Sequence, residues 1–379
     1  MSKEKSPEYY DIYNFVKKEQ FEDKELFIPL YDNLGGVHLL DVSPRVVPKG
    51  RTCDVAISQA ARVSYGHDMK SKKADENLVR YLVENWHTSP LEMISFKFKL
   101  RMPIFVANQL VRHRTAKLNC YSMRYSEAPD EFYKPEIRMQ SKINKQSSVD
   151  VEKVDSEVKK VWDDYFENSK KQYERYQFLI KNGVAREVAR CGLSVNIMTE
   201  MIWTMDLHNL LKFLKLRMDS HAQKEIQVLA NAIYELINHF APVACKAAKD
   251  FWFDSISFSK KEQEFIPKVL NGGNPQFKSK RKNKVFKDKL EKIKLSSNNT
   301  CGSIMLNSDG KYTITESSVS FSAYTGNSLS ISSTSDGPYY LEFNGKKVNP
   351  ENGYTYVTID GKLYKYKDDN PHNKEEVKL

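Results

Sequence analysis

Cysteine is scarce in this sequence: Cys53, Cys120, Cys191, Cys245 and Cys301 stand far apart in 379 residues, with no Cys-x-x-Cys pair. That spacing argues against a zinc site or a disulfide framework and fits a reducing cytoplasm, so no metal is expected. Long apolar runs are also missing. No stretch reaches 18 apolar residues, and no apolar segment follows Met1-Ser2-Lys3-Glu4-Lys5. Neither a membrane span nor a signal peptide is expected, and the location to expect is cytoplasmic.

What is present suffices for a core. Apolar residues make up 40% and aromatic residues 12%, while a mean hydropathy of −0.61 leaves part of the length as solvated linker or tail. The chain has room for two or three domains. The net charge of +10 is unevenly spread, since Lys278 to Lys294 holds nine Lys/Arg against Asp288 and Glu291. Most of the imbalance therefore belongs to one segment, read as a solvated linker. Nucleic-acid binding is not expected, save as a weak affinity of that segment, an alternative ranked below the linker reading.

Periodicity predicts helices over 54–63, 75–86 and 104–113, the last entered through Pro103, and further helices over 155–182 and 184–190. Residues 196–205, 207–216 and 222–240 also read as helices, the last two with strong apolar stripes. Strand-like runs occupy 37–52. Over 93–102, Ile94, Phe96, Phe98 and Leu100 alternate with Ser95, Lys97, Lys99 and Arg101, predicting a half-buried strand. Beyond residue 300, short β-forming runs alternate with Asp309-Gly310, Asp336-Gly337, Asn344-Gly345, Asn352-Gly353 and Asp360-Gly361. That is a repeated hairpin signal.

The densest chemistry lies at Arg112-His113-Arg114-Thr115-Ala116-Lys117-Leu118-Asn119-Cys120-Tyr121-Ser122, followed by Met123-Arg124. The cations emerge behind the apolar run Pro103 to Val111. Guanidinium forks suit phosphate or carboxylate oxygens, so the segment reads as an anion site, with a solvated basic loop as the plain alternative. Ser122 has no evident His–acid pair around it, and nucleotide binding is a better assignment than a covalent nucleophile.

Arg-His-Arg, seven residues, then Ser is similar to the signature of the flavin-dependent thymidylate synthases. The stretches Ala60 to Tyr65, His87 to Glu92, Arg124 to Ser126, Arg186 to Arg190 and Leu216-Arg217 leading to Ile226 also resemble that family, in order. The resemblance runs from about Val37 to about Pro242. It implies an α/β (α+β) catalytic domain over 36–270, preceded by an N-terminal arm, 1–35. A basic linker, 271–299, a small all-β module, 300–367, and a disordered tail, 368–379, complete the division. It also implies reductive methylation of dUMP to dTMP by a homotetramer. Methylenetetrahydrofolate is the carbon donor, and NADPH reduces the FAD.

Carried over by resemblance, Gln109, Leu110, Val111, Arg112, Cys120, Tyr121, Ser122, Met123, Arg124 and Arg190 match positions that hold the nucleotide. Arg217 matches the catalytic arginine that polarises the pyrimidine at N3. For Arg190 and Arg217 the plain reading is a surface ion pair. His87, Ser89, Glu92, Arg112, His113, Arg114, Cys120, Asp206, His208 and Lys212 fall on the flavin side, with Ser89 and Glu92 reaching it from another subunit.

Four departures stand out: Cys120 replaces the usual Glu, Met93 the usual His, Asp206-Leu207-His208 the usual Asn-x-Arg, and Lys212 the usual Asn. The nucleotide cradle is kept and the flavin cradle altered. Two alternatives follow. One is a related flavin- and folate-dependent pyrimidine modification such as hydroxymethylation. The other is a nucleotide-binding or assembly protein without catalysis, with the β module as its working part.

Overall fold

The alternation around Phe96 and Phe98 sets the core of the first of two units. The computed structural model describes residues 8–66, 69–141, 148–150, 154–270 and 273–293, and beyond residue 302 a set of short strands with residue 377. Two compact units divide at Ser255/Ile256. The first unit begins with β1 (Tyr9–Asp11), α1 (Ile12–Phe21), β2 (Phe27–Leu30), β3 (Gly35–Ser43) and β4 (Val46–Pro48). There follow α2 (Asp54–Arg62), α3 (Lys72–Glu84), β5 (Ser95–Pro103), α4 (Ile104–Leu110) and β6 (Lys117–Cys120). After the short pair β7 (Met139–Gln140) and β8 (Ser148–Val149) come α5 (Ser156–Lys181), α6 (Arg186–Ala189) and β9 (Met198–Asp206). The unit closes with α7 (Leu207–Arg217), α8 (Lys224–Asn238) and α9 (Pro242–Ala248).

The main sheet is antiparallel, in the order β2-β3-β5-β9-β6. On β5, Phe96, Phe98, Leu100 and Met102 are fully buried, while Lys97, Lys99 and Arg101 take the other face. Burying each such apolar side chain stabilises the fold by about 1.5–3 kcal/mol. Helix α8 places Ile226, Leu229, Ile233, Leu236 and Ile237 in the same core, the stripe its periodicity predicts.

Residues 196–205 correct the sequence reading, since Met198–Asp206 is a strand and not a helix. Met201, Trp203 and Met205 are buried and alternate with Glu200, Ile202 and Thr204. Exposed Ile202 blurs that two-residue period and makes the run look uniformly apolar. The segment 1–35, read as an arm, is built into the body over its described residues. Phe27–Leu30 is an edge strand of the sheet, and Ile12, Val16 and Leu26 are buried in the common core.

The second unit contains α10 (Lys260–Leu270) and α11 (Lys280–Lys292), packed around Phe265, Phe286 and Leu290. The segment expected to be a linker thus carries a helix, because Phe286 and Leu290 lie one turn apart on one face among the lysines. Beyond it, β10 (Ser303–Leu306), β11 (Tyr312–Ile314), β15 (Tyr354–Ile359), β16 (Lys362–Lys367) and β17 (Glu375–Glu376) form one antiparallel sheet. Strands β12 (Leu329–Ser332), β13 (Tyr340–Phe343) and β14 (Lys346–Val348) form another. Strands flanking four of the five turn dipeptides pair as hairpins, the exception being Asn352-Gly353. The dipeptides themselves lie outside the described residues. Two residues of the expected disordered tail, Glu375 and Glu376, pair with β16; residues 368–374, 378 and 379 lie outside the described set.

Candidate functional site

Helix α4 delivers the cationic stretch to the surface. Pro103 opens it, and Val106, Ala107 and Leu110 are buried. Past Leu110 no apolar residue is left to bury on that face, and the backbone tightens. Arg112 N–H bonds Gln109 O at 3.4 Å and His113 N–H bonds Leu110 O at 3.0 Å, spacings of three residues. The chain then turns into β6, the sheet's last strand, which pairs with β9. Tyr121 N–H extends that pairing to Glu200 O at 2.8 Å.

Three groups of side chains result. The first joins the ends of α4 and α7. Arg217 Nε donates to His113 Nε2 at 3.1 Å, and the His113 ring stands edge-on to Phe213 at 4.8 Å. Burial, reinforced by the Arg217 charge, pushes the His113 pKa down to about 4. The imidazole is therefore neutral near pH 7, with its proton on Nδ1 and Nε2 free to accept. Burial also lowers the pKa of Arg217. Gln109 Nε2 donates to Gln223 Oε1 at 2.6 Å, linking α4 to the entry of α8.

The second group surrounds Ser122. Ser122 Oγ accepts from Arg124 N–H at 3.3 Å, and the Arg124 guanidinium pairs with Glu187 at 3.2 Å. Met123, Ala189 and Ile197 share a buried cluster with Tyr173 and Tyr176 of α5. In that cluster Met123 directly follows Ser122 in the chain, and Ala189 directly precedes Arg190. Among the described residues, Arg112, Arg114 and Arg190 make no ion pair and no side-chain hydrogen bond. Cys120 is exposed on the edge strand, and partial burial raises its thiol pKa.

The third group lies at the start of α7. Asp206 is the N-cap: its carboxylate accepts from Asn209 N–H at 3.0 Å and Asn209 Nδ2 at 2.8 Å. His208 Nδ1 is 3.4 Å from Glu92 Oε1, within ion-pair reach, but buried and without a hydrogen bond. Lys212 is exposed and forms no ion pair with Asp206 among the described residues, so the cap, not a lysine, occupies that carboxylate. His87 is exposed and stacked on Tyr81 at 6.1 Å, and Ser89 and Glu92 belong to the short helical turn Ser89–Met93.

The structure does not gather all the expected residues in one place. His208 and Arg217 sit at opposite ends of α7, nine residues or about 13 Å apart along its axis. Leu110 and Met123 are core residues, and Val111 and Tyr121 are partly exposed beside them. Two partners were not singled out from the sequence, Gln223 and Glu187. Neither pairing has a local signal, because the partners lie 114 and 63 residues apart.

Known proteins resemble this chain. The family model described as thymidylate synthase complementing protein matches residues 46–243. The flavin-dependent thymidylate synthase of Dictyostelium discoideum is 43% identical over 272 residues, covering 68% of this chain and 89% of that protein. The protein of the same name from Wolbachia pipientis wMel is 44% identical over 224 residues, covering 58% and 78%. Among solved structures, a UMP/dUMP methylase, PolB, from Streptomyces cacaoi bound with 5-Br dUMP aligns with a TM-score of 0.50 at 30% identity, over 57% of this chain and 94% of that one.

Proposed function

The chain belongs to the flavin-dependent thymidylate synthase family, and on that premise we propose that it methylates dUMP to dTMP with a flavin cofactor. The observation that carries this reading is a set of exposed or half-exposed guanidinium groups, from the Arg112–Ser122 stretch and from Arg190 and Arg217, that are not taken up by protein anions among the described residues. Among the described residues, Arg112, Arg114 and Arg190 have no anionic partner, and Arg217 has one side-chain hydrogen bond, from Nε to His113. A nucleotide 5′-phosphate brings about −1.5 to −2 charges near neutral pH, and forks of this kind match it. Arg112, Arg124, Arg190 and Ser122 hold the nucleotide in this account, with Gln109 beside them.

Arg217 presents its two Nη groups to the pyrimidine. Negative charge develops on that ring as C5 becomes the nucleophile, and a fixed guanidinium stabilises it without reorganising. Neutral His113 keeps the fork oriented without adding a competing positive charge. Of the residues expected on the flavin side, Arg112 and Arg114 are exposed and, among the described residues, unpaired, which suits an anionic group. A reduced flavin, if held there by Arg112 and Arg114, would be the hydride source for the new methyl group. We assign methylenetetrahydrofolate as the carbon donor, FAD as the flavin and NADPH as its reductant. The separation of His208 from Arg217 on α7 supports sites assembled from several subunits of a homotetramer. Among the described residues, no helix is long and apolar enough to cross a membrane.

Mass analysis of the product formed from dUMP, methylenetetrahydrofolate, NADPH and FAD tests this reading. A methylated nucleotide supports it. A hydroxymethylated product points to the related modification instead, and unchanged dUMP overturns the catalytic assignment.

A further inference from the structure

We propose that the charged face of α11 binds the phosphate backbone of a nucleic acid. This surface lies in the second unit, outside the family match at 46–243, and does not depend on the methylation reading. The helix is fixed in orientation by its own unit. Phe286 and Leu290 are buried against α10, and the Phe265 ring lies 4.8 Å from Phe277 and 6.1 Å from Phe286. Lys289 Nζ donates to both carboxylate oxygens of Glu262, at 2.8 and 2.9 Å. That pair uses one lysine and leaves the others outward.

Lys280, Arg281, Lys282, Lys284, Lys287 and Lys292 are exposed, and among the described residues their side chains form no ion pair or hydrogen bond. Lys280, Lys284 and Lys287 fall at i, i+4 and i+7, one stripe about 100° round the helix from the buried face of Phe286 and Leu290. Asp288 and Glu291 offset only part of this charge. Like charges at such spacings repel, and the first turn has three cations and no acid to balance the positive end of the helix. A helix that keeps this repulsion gains from an anionic partner.

An extended polyanion suits the face best, because the cations run the length of a helix about 20 Å long and can neutralise several phosphates together. A bilayer surface suits it less. Membrane-surface helices insert an apolar face, whereas Phe286 and Leu290 are turned inward, leaving Val285 and, just past the helix, Ile293 exposed.

The test is fluorescence anisotropy of a labelled 30-base-pair duplex with the full-length protein, across a salt titration. Wild-type protein should bind at low salt with Kd of about 10 µM or tighter and weaken as salt rises. The triple variant Lys280→Gln, Lys284→Gln, Lys287→Gln should bind at least about tenfold more weakly, with a slope of log affinity against log salt shallower by about 2–3. Its circular dichroism and nucleotide-methylating activity should match wild type. Absence of duplex binding at low salt, or equal binding by a folded variant, overturns the proposal. So does preferential binding to phosphatidylserine vesicles or polyglutamate without binding to the duplex.

Discussion

Arg217 Nε donates to His113 Nε2 at 3.1 Å, so the imidazole must be neutral for the contact to exist. Burial first, and then the Arg217 charge, brings the His113 pKa to about 4. As pH falls below the ordinary histidine value of about 6.5, the unfolded chain takes up this proton before the folded one does. The stability tied to His113 is thus present above that pH and lost between about 6.5 and 4. The melting temperature of His113→Asn should fall less over this window than that of wild type. Parallel curves would remove the neutral histidine from the account.

Arg217 contributes shape as well as charge. Arg217→Ala should lower kcat/KM for dUMP by about 10²–10³-fold, the usual loss for a donor aimed at developing charge. Arg217→Lys keeps a cation but loses both the fork and the Nε contact, and should remain at least about tenfold below wild type. Steady-state kinetics decide this, and full activity in the lysine variant would sink the proposed role.

Among the described residues Arg112 and Arg190 have no side-chain partner, so removing either should act on substrate affinity. A hydrogen bond to a charged group contributes about 1.5–3 kcal/mol, or a rise of about 10–100-fold in KM for dUMP on Arg→Ala. Glu187→Gln removes the anion that occupies Arg124. Its KM should be equal to wild type or lower. A KM unmoved by Arg190→Ala would place the phosphate elsewhere.

Asp206 acts as a helix cap. Asp206→Ala should cost about 1 kcal/mol in urea unfolding, while Asp206→Asn should stay within a few tenths because Asn also caps well. A loss of flavin affinity in Asp206→Asn as large as that in Asp206→Ala would show that the carboxylate touches the cofactor.

Local patterns were legible in the sequence where the residues involved are neighbours. The β5 alternation of Phe96 and Phe98 against Lys97 and Lys99 reads correctly because its period is undisturbed. Strand β9 reads wrongly because Ile202 faces outward among buried residues. Helix α11 is hidden by its own lysines, which mask Phe286 and Leu290. The Arg112–Ser122 spacing is visible because it is continuous. By contrast, the Gln109–Gln223 and Arg124–Glu187 pairs arise from chain crossings that no local period encodes. Asp206 shows the converse: its acidic side chain departs from the family pattern, but a three-residue cap accounts for it.

The most direct test of the central claim is the visible absorbance of the purified protein with FAD, titrated with dUMP. The account predicts a bound-flavin spectrum that shifts saturably with dUMP. Arg190→Ala should keep the flavin spectrum but need about 10–100-fold more dUMP for the same shift. A protein that binds no flavin, or whose bound flavin is indifferent to dUMP at any concentration, would contradict a shared nucleotide and flavin site.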